Sequence, residues 1–238
     1  ENEPKNIVPI EQNKEDAFNH SIYRLNAAKR IEFQRNALSK VFDNKNYNDW
    51  IIYSDSDEIP NLENIDFKKI KEKYLLFKQN MFYYKFNLSL PNLNWYGSKA
   101  CQYKDLTSIS ELRNIKPKKY GWWRLDTILK KNKFININII KNGGWHFTEI
   151  KTPKEIFIKH SNDEHHDEFD KTGIFEENIK DMVKNRYIPY DHNIDQKEWK
   201  KKWNKDNRIK LSIVKDSMLP KYLIDNNEKY SSWFDFKD

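Results

Sequence analysis

Four apolar residues, Trp50-Ile51-Ile52-Tyr53, run without a break toward Asp55-Ser56-Asp57-Glu58, and Pro60 stops any simple continuation. A short continuous apolar run with a polar stop predicts a strand buried on both faces, as in a parallel sheet. Acids at the carboxyl end of such a strand are how an α/β fold places polar chemistry at the mouth of its sheet. The rest of the chain has the bulk to cover that strand. Only 37% of its 238 residues are hydrophobic, but 15% are aromatic, enough large side chains for a packed interior and too many for a disordered chain. Five Gly and eight Pro exclude collagen-like and low-complexity classes, and no apolar run reaches the ~20 residues of a membrane span.

No repeat and no Gly/Ser or Pro-rich linker divides the chain, so it reads as one domain over 1–238. Ile22, Leu25, Ile31, Leu38 and Val41 recur near helical spacing within Ser21–Phe42, which predicts an amphipathic helix. Tyr74–Phe77 and Met81–Phe86 read as two strands, Trp95–Lys104 as a turn followed by a short strand, and Phe134–Ile140 as a strand broken by Gly143-Gly144. Thr152-Pro153-Lys154-Glu155 carries an N-cap Thr, Pro at the first helical position and Glu at the third, a helix start. A second helix over Ile174–Asn185 should turn Ile174, Phe175, Ile179, Met182 and Val183 inward, and the C-terminal part reads as irregular or short-helical.

The net charge of +7 favours acidic partners, although lysines scattered on a solvated surface explain it equally well. One cysteine, Cys101, removes intrachain disulfides and Cys-rich zinc sites and fits a reducing, cytoplasmic setting. The chain opens at Glu1-Asn2-Glu3-Pro4 with neither Met nor an apolar signal, which suggests a trimmed or unusually brief start. With a trimmed anchor the setting would be the Golgi lumen, where the sequons at Asn19 and Asn87 would matter.

Asp55 and Asp57, at i and i+2 after a strand, can converge on a divalent ion or its water and leave positions free for phosphate oxygens. A calcium-binding EF-hand loop starting at Asp55 fails, because Pro60 stands where Gly is required and Asp66 where Glu is. The plain rival is an Asp-rich turn.

Asp49-Trp50-Ile51-Ile52-Tyr53-Ser54-Asp55-Ser56-Asp57-Glu58-Ile59-Pro60 resembles the signature of glycosyltransferase family 17. Three further elements follow the family's order: Arg35 in a helix before that strand, Gly144-Trp145-His146 followed by Thr152-Pro153, and Leu219-Pro220-Lys221-Tyr222-Leu223. The resemblance runs from about Arg24 to Tyr230. It implies a GT-A type, Rossmann-like nucleotide-sugar-binding fold with a mixed central sheet flanked by helices. It also implies an inverting enzyme that transfers GlcNAc or a related sugar from a UDP-sugar to a glycan hydroxyl, with Mn²⁺ or Mg²⁺ as cofactor.

On that reading the metal ligands are Asp55, Asp57 and His146. Asp57 is the direct ligand, and Asp55 reaches the ribose or a metal-bound water. Glu58 orients its neighbours, and Arg35, Gly144 and Trp145 approach the donor. Each has a plain alternative: a helix-surface Arg35, a tight turn at Gly143-Gly144, and core roles for Trp145 and His146. The acceptor base is Asp126, Glu149 or Asp163, with Asp126 ahead because it follows Trp122-Trp123-Arg124, a pair of aromatics that could carry an acceptor sugar. His160 to Glu168 looks like a second metal site but reads better as a solvated loop. The rival functions are a Mg²⁺-dependent nuclease or nucleotidyl transferase and a lectin-like sugar-binding module. The partners expected are the UDP-sugar donor and the glycan acceptor, with neither nucleic acid nor a membrane span.

Overall fold

Side chains along Tyr74–Tyr83 alternate between two buried faces, and this one strand organises the fold. Leu75 and Phe77 pack with Ala100, while Tyr74 and Leu76 pack with Ile51, Cys101 and Ile109. Further along, Met81 and Tyr83 enter a cluster with Leu88, Ile156 and Met182, and Phe82 turns to Phe147 and Leu219. This is the period of two expected of a strand covered on both sides. The computed structural model describes residues 3–11, 16–42, 45–117, 136–163, 166–194 and 198–236. It is a mixed α/β protein with a mixed central sheet flanked by helices.

In chain order the elements are α1 (Asp16–Ala37), β1 (Trp50–Tyr53), β2 (Glu58–Pro60), β3 (Tyr74–Tyr83), β4 (Leu88–Gln102) and α2 (Ile109–Asn114). Then come β5 (Ile137–Ile140), β6 (Gly144–Thr148), α3 (Pro153–His160), α4 (His166–Asp170), α5 (Glu176–Lys184) and β7 (Tyr187–Ile188). The chain closes with α6 (Trp199–Lys202), β8 (Ile209–Lys210), β9 (Ser212–Ile213) and α7 (Lys221–Asp225). The main sheet runs β1-β4-β3-β6-β2, with β5 on β3 and β9 on β4. β3 is antiparallel to β4 but parallel to β5 along its first half and to β6 along its second. The chain passes from β5 to β6 against the β3 backbone, where Gly143 N–H donates to Lys78 O at 2.7 Å. A Cβ on Gly143 would lie 2.6 Å from Lys78 N, so the crossing admits glycine alone.

Several expectations need correction. β1 is a strand, but it is antiparallel to β4 and its burial alternates, with Ile51 and Tyr53 covered and Trp50 and Ile52 half-buried. The two predicted strands over 74–77 and 81–86 are one strand, β3, carrying two register shifts against β4. Trp95–Lys104 belongs largely to β4, a 15-residue strand whose Asn92, Asn94, Gly97 and Ser98 masked its extended character. α1 forms, and Ile22 is buried, but Leu25, Leu38 and Val41 are exposed, as is Phe175 before α5. Apolar spacing located these segments without fixing which face is covered. α3 starts as expected, with Thr152 and Glu155 completing a capping box. Among the described residues no helix is long and apolar enough to cross a membrane.

Candidate functional site

After β1 the chain crosses β4 and β3 to pair with the outer side of β6, and the acidic motif is that crossing. A turn closes it, Glu58 N–H donating to Asp55 O at 3.0 Å, and Ser54 Oγ meets Ser98 Oγ at 2.6 Å. Glu58 then pairs with His146 as the first residue of β2. The crossing presses the Glu58 carboxylate onto Gly97, where an added Cβ would lie 2.3 Å from the Glu58 carboxyl carbon and 2.4 Å from Gln79 Oε1. Gly97 is thus the gap through which a buried carboxylate enters the sheet.

Glu58 is 4% exposed and fully engaged. It accepts from Trp95 Nε1 at 2.9 Å, from Arg113 Nη2 at 3.2 Å and from Asp55 N–H at 3.2 Å. A buried carboxylate with three donors is a scaffold: it fixes the turn, the Trp95 ring and the Arg113 fork together. The expected orienting role suits this geometry. Its contacts are all to the protein.

Asp55 faces cations. Arg113 reaches Asp55 Oδ2 through Nε at 3.0 Å and Nη2 at 2.7 Å, while Oδ1 accepts from Tyr53 Oη at 2.6 Å and lies 3.5 Å from Arg35 Nη2. Burial works against ionisation of Asp55, but the Tyr53 hydrogen bond and the Arg113 charge outweigh it and hold the carboxyl below its ordinary value. Arg35, in the last turn of α1, also donates from Nε to Tyr53 Oη at 3.1 Å, so it belongs to this cluster and not to a solvated helix surface. Lys99 lies beneath, 4% exposed, donating to Arg113 O and to Ile115 O. Burial, with Arg113 adding repulsion, brings Lys99 down to about 7.

Asp57 points the other way. Its Oδ2 lies 3.2 Å from His146 Nε2, and its side chain keeps 37% of its exposure, so an outside ligand can reach it. Burial raises its carboxyl, but the His146 hydrogen bond and charge prevail and lower it. His146 is 7% exposed, stands against the Trp95 ring at 4.9 Å, and buries an Nδ1 with no hydrogen-bond partner among the described residues.

The pair fits a divalent ion. Bonds of about 2.1 Å from a carboxylate oxygen and an imidazole nitrogen, set at right angles, put the two donor atoms about 3 Å apart. That is the observed spacing. Asp55 does not join them, because both its oxygens are held elsewhere. Among the described residues no three His, Cys, Asp or Glu side chains are grouped so as to hold a metal ion, so this site offers two donors where three were expected.

The remaining predicted residues scatter. Gly144 (φ +123°) lies under β2, where a Cβ would meet Ile59 O at 2.0 Å, so it serves strand contact. Trp145 stands on the sheet face opposite His146, packed near Leu219 and donating from Nε1 to Met218 O at 2.6 Å. Asp126 and Trp122-Trp123-Arg124 lie outside the described residues. The solvated loop expected over His160–Glu168 is corrected at both ends. His160 and Glu168 are buried, His160 Nε2 against Glu149 Oε1 at 2.7 Å and Glu168 against Arg24 at 2.8 Å. Ile156 and His160, four apart on α3, already had the spacing of one inward face. Asp163 lies 3.4 Å from His160 Nδ1. Asn87 spends its amide on Asp235, donating to its O at 2.6 Å and accepting its N–H at 2.8 Å, so that sequon is occupied structurally.

Sequence reasoning missed Arg113, Trp95, Gly97 and Lys99. Only the capped short helix at Ser108 hinted that something preceding residue 115 was placed with care. The assembled site offers an accessible carboxylate–imidazole pair on a rigid, cation-backed turn, suited to holding a divalent ion and an anionic group. No family model, no curated protein and no solved structure matches this chain.

Proposed function

We propose that the chain is an inverting, metal-dependent glycosyltransferase of the GT-A type that moves GlcNAc or a related sugar from a UDP-sugar to a carbohydrate hydroxyl. The observation that carries the reading is the Asp57–His146 pair at 3.2 Å, open to solvent through Asp57, which joins two of the segments that resemble the family's, the acidic signature and Gly144-Trp145-His146. Mn²⁺ or Mg²⁺ held there would offset the charge that grows on a departing diphosphate.

The chain's own residues prepare that site. Trp95 and the β2–β6 pairing fix the His146 ring. Glu58 and Arg113 lock the turn that presents Asp57, so little reorganisation is needed when an anion arrives. Arg35, hydrogen-bonded to Tyr53 and ion-paired with Asp55, and Arg113, hydrogen-bonded to Asp55 and Glu58, add positive potential at the same turn, which makes them positioning residues. For the acceptor base the described candidates are Glu149 and Asp163. The Glu149 side chain keeps 10% of its exposure, and the His160 charge outweighs desolvation and holds its carboxyl below the ordinary value.

Calorimetric titration of UDP with and without Mn²⁺, beside a transfer assay over a panel of UDP-sugars, tests the reading. UDP should bind with Mn²⁺ far better than without it, and EDTA should stop transfer. Full transfer in EDTA, or tight UDP binding by Asp57→Ala, would overturn it.

A further inference from the structure

A cavity of about 160 Å³ lies on the same sheet face as His146, and Glu149, a candidate acceptor base, is one of its lining residues. β6 pairs with β3 so that His146 stands opposite Met81 and Thr148 opposite Tyr83, which sets Tyr83 one step beyond His146 on one face, about 7 Å along the strand. Tyr83 lines the cavity, and Glu149, the residue after β6, enters it from beside the site.

Its walls combine apolar planes with polar groups. Tyr190 and Trp203 meet edge to face at 4.7 Å. Trp203 is 9% exposed, and its Nε1 is buried with no partner among the described residues. Glu149 is held ionised beside His160 at 2.7 Å. Burial, with Lys202 nearby, brings His192 down to about 4, so its ring is neutral and its Nε2 shares a hydrogen bond of 2.6 Å with the Tyr83 hydroxyl.

An enclosed space of about 150 Å³ holds a six-membered ring, and a purely apolar one stays dry and takes hydrocarbon. This cavity differs, because the Glu149 carboxylate and the His160 and His192 imidazoles stand among its apolar side chains and call for polar partners. A pyranose supplies them from its hydroxyls and lays its C–H faces on aromatic rings. Resting on the transferase reading above, we infer that this cavity, bounded by Tyr83, Glu149, His160, Tyr190, His192 and Trp203, is the subsite for a monosaccharide unit of the acceptor. Glu149 would accept from a ring hydroxyl, and the Tyr190 and Trp203 rings would pack against the C–H face of the sugar.

The test is ligand-observed NMR on the full chain with methyl glycosides of GlcNAc, glucose, mannose and galactose, and with toluene as an apolar control. At least one glycoside should bind in metal-free buffer and remain bound when UDP-GlcNAc and Mn²⁺ are added. Trp203→Leu, which removes the aromatic plane, should weaken that glycoside roughly 3- to 10-fold, and Glu149→Gln by about 10-fold or more. UDP·Mn²⁺ affinity should stay within about twofold in both, the spread expected of distant sites. Melting curves confirm folding, and if Glu149→Gln does not fold, Trp203→Leu decides alone.

Binding of toluene and of no glycoside would overturn the inference, as would UDP·Mn²⁺ binding with no glycoside bound. Displacement of the glycoside by UDP-GlcNAc but not by UDP would overturn it too, by giving the cavity to the donor sugar. Glycoside binding with no UDP binding under any metal would overturn the transferase reading instead, while supporting the sugar cavity.

Discussion

Arg113 grips the Asp55 carboxylate through two nitrogens at 3.0 and 2.7 Å, so the first acid of the Asp-x-Asp motif is tied to α2 while the second, Asp57, faces His146. The two aspartates therefore have different tasks, and substitution should separate them. Asp55→Asn leaves Arg113 and Arg35 undercompensated in a half-buried setting and should lower unfolding free energy by about 1–3 kcal/mol. Asp57→Asn, at a more open side chain, should cost about 1 kcal/mol or less yet abolish transfer. Urea denaturation beside the transfer assay reads both, and equal destabilisation by the two variants would contradict the division.

His146→Gln isolates the imidazole. If Nε2 holds a metal ion beside Asp57, the variant should weaken Mn²⁺-dependent UDP binding by roughly 10- to 100-fold. His146→Ala should do the same and also cost the apo protein about 1–3 kcal/mol, because a side chain 7% exposed and packed on Trp95 leaves a gap. Normal UDP·Mn²⁺ titrations for a folded His146→Gln would remove His146 from the metal site and leave it as a packing residue.

Gly97→Ala should destabilise by about 1–3 kcal/mol, since its methyl would meet the Glu58 carboxylate and the Gln79 amide, both held by hydrogen bonds. Gly173→Ala is the control. Its φ of +66° costs about 1 kcal/mol of backbone strain, but open space surrounds it. Denaturant midpoints should fall further for Gly97→Ala, and transfer should fall with them only there.

His160 and Lys99 titrate in opposite senses. Burial lowers His160, but the Glu149 charge and the hydrogen bonds that Asp163 and Glu149 accept from its ring raise it to about 9, above the ordinary 6.5. Its stabilisation is complete below about 6.5 and is lost as pH rises through 9. Lys99, lowered to about 7 from 10.5, leaves the unfolded chain holding a proton the native chain lacks between those values, so stability there rises with pH. From pH 7 to 9 the slopes oppose, each at most about 1.4 kcal/mol per pH unit. His160→Gln should therefore gain stability over that interval and Lys99→Met should lose it. Parallel curves for wild type and both variants, measured by urea titration, would refute the assignment.

The sequence by itself determined the local events. Trp50–Tyr53 is a strand and Asp55–Asp57 the turn after it, because an apolar run and the acids that end it lie within eight residues of one another. α3 begins at Pro153 because Thr152 and Glu155 cap each other across a single turn. The inward positions Ile179 and Met182 of α5 follow from spacing alone. Only the tertiary structure decided that β1 lies antiparallel to β4, that Asp55 and Asp57 part company, and that His160 is buried. Those outcomes rest on partners far along the chain: Arg113 stands 58 residues from Asp55, and Trp95 stands 37 from Glu58. Periodicity and capping report interactions within a few residues, whereas strand register, the covered face of a helix and the pairing of a buried charge depend on which surface arrives from elsewhere. No spacing in the sequence records that arrival.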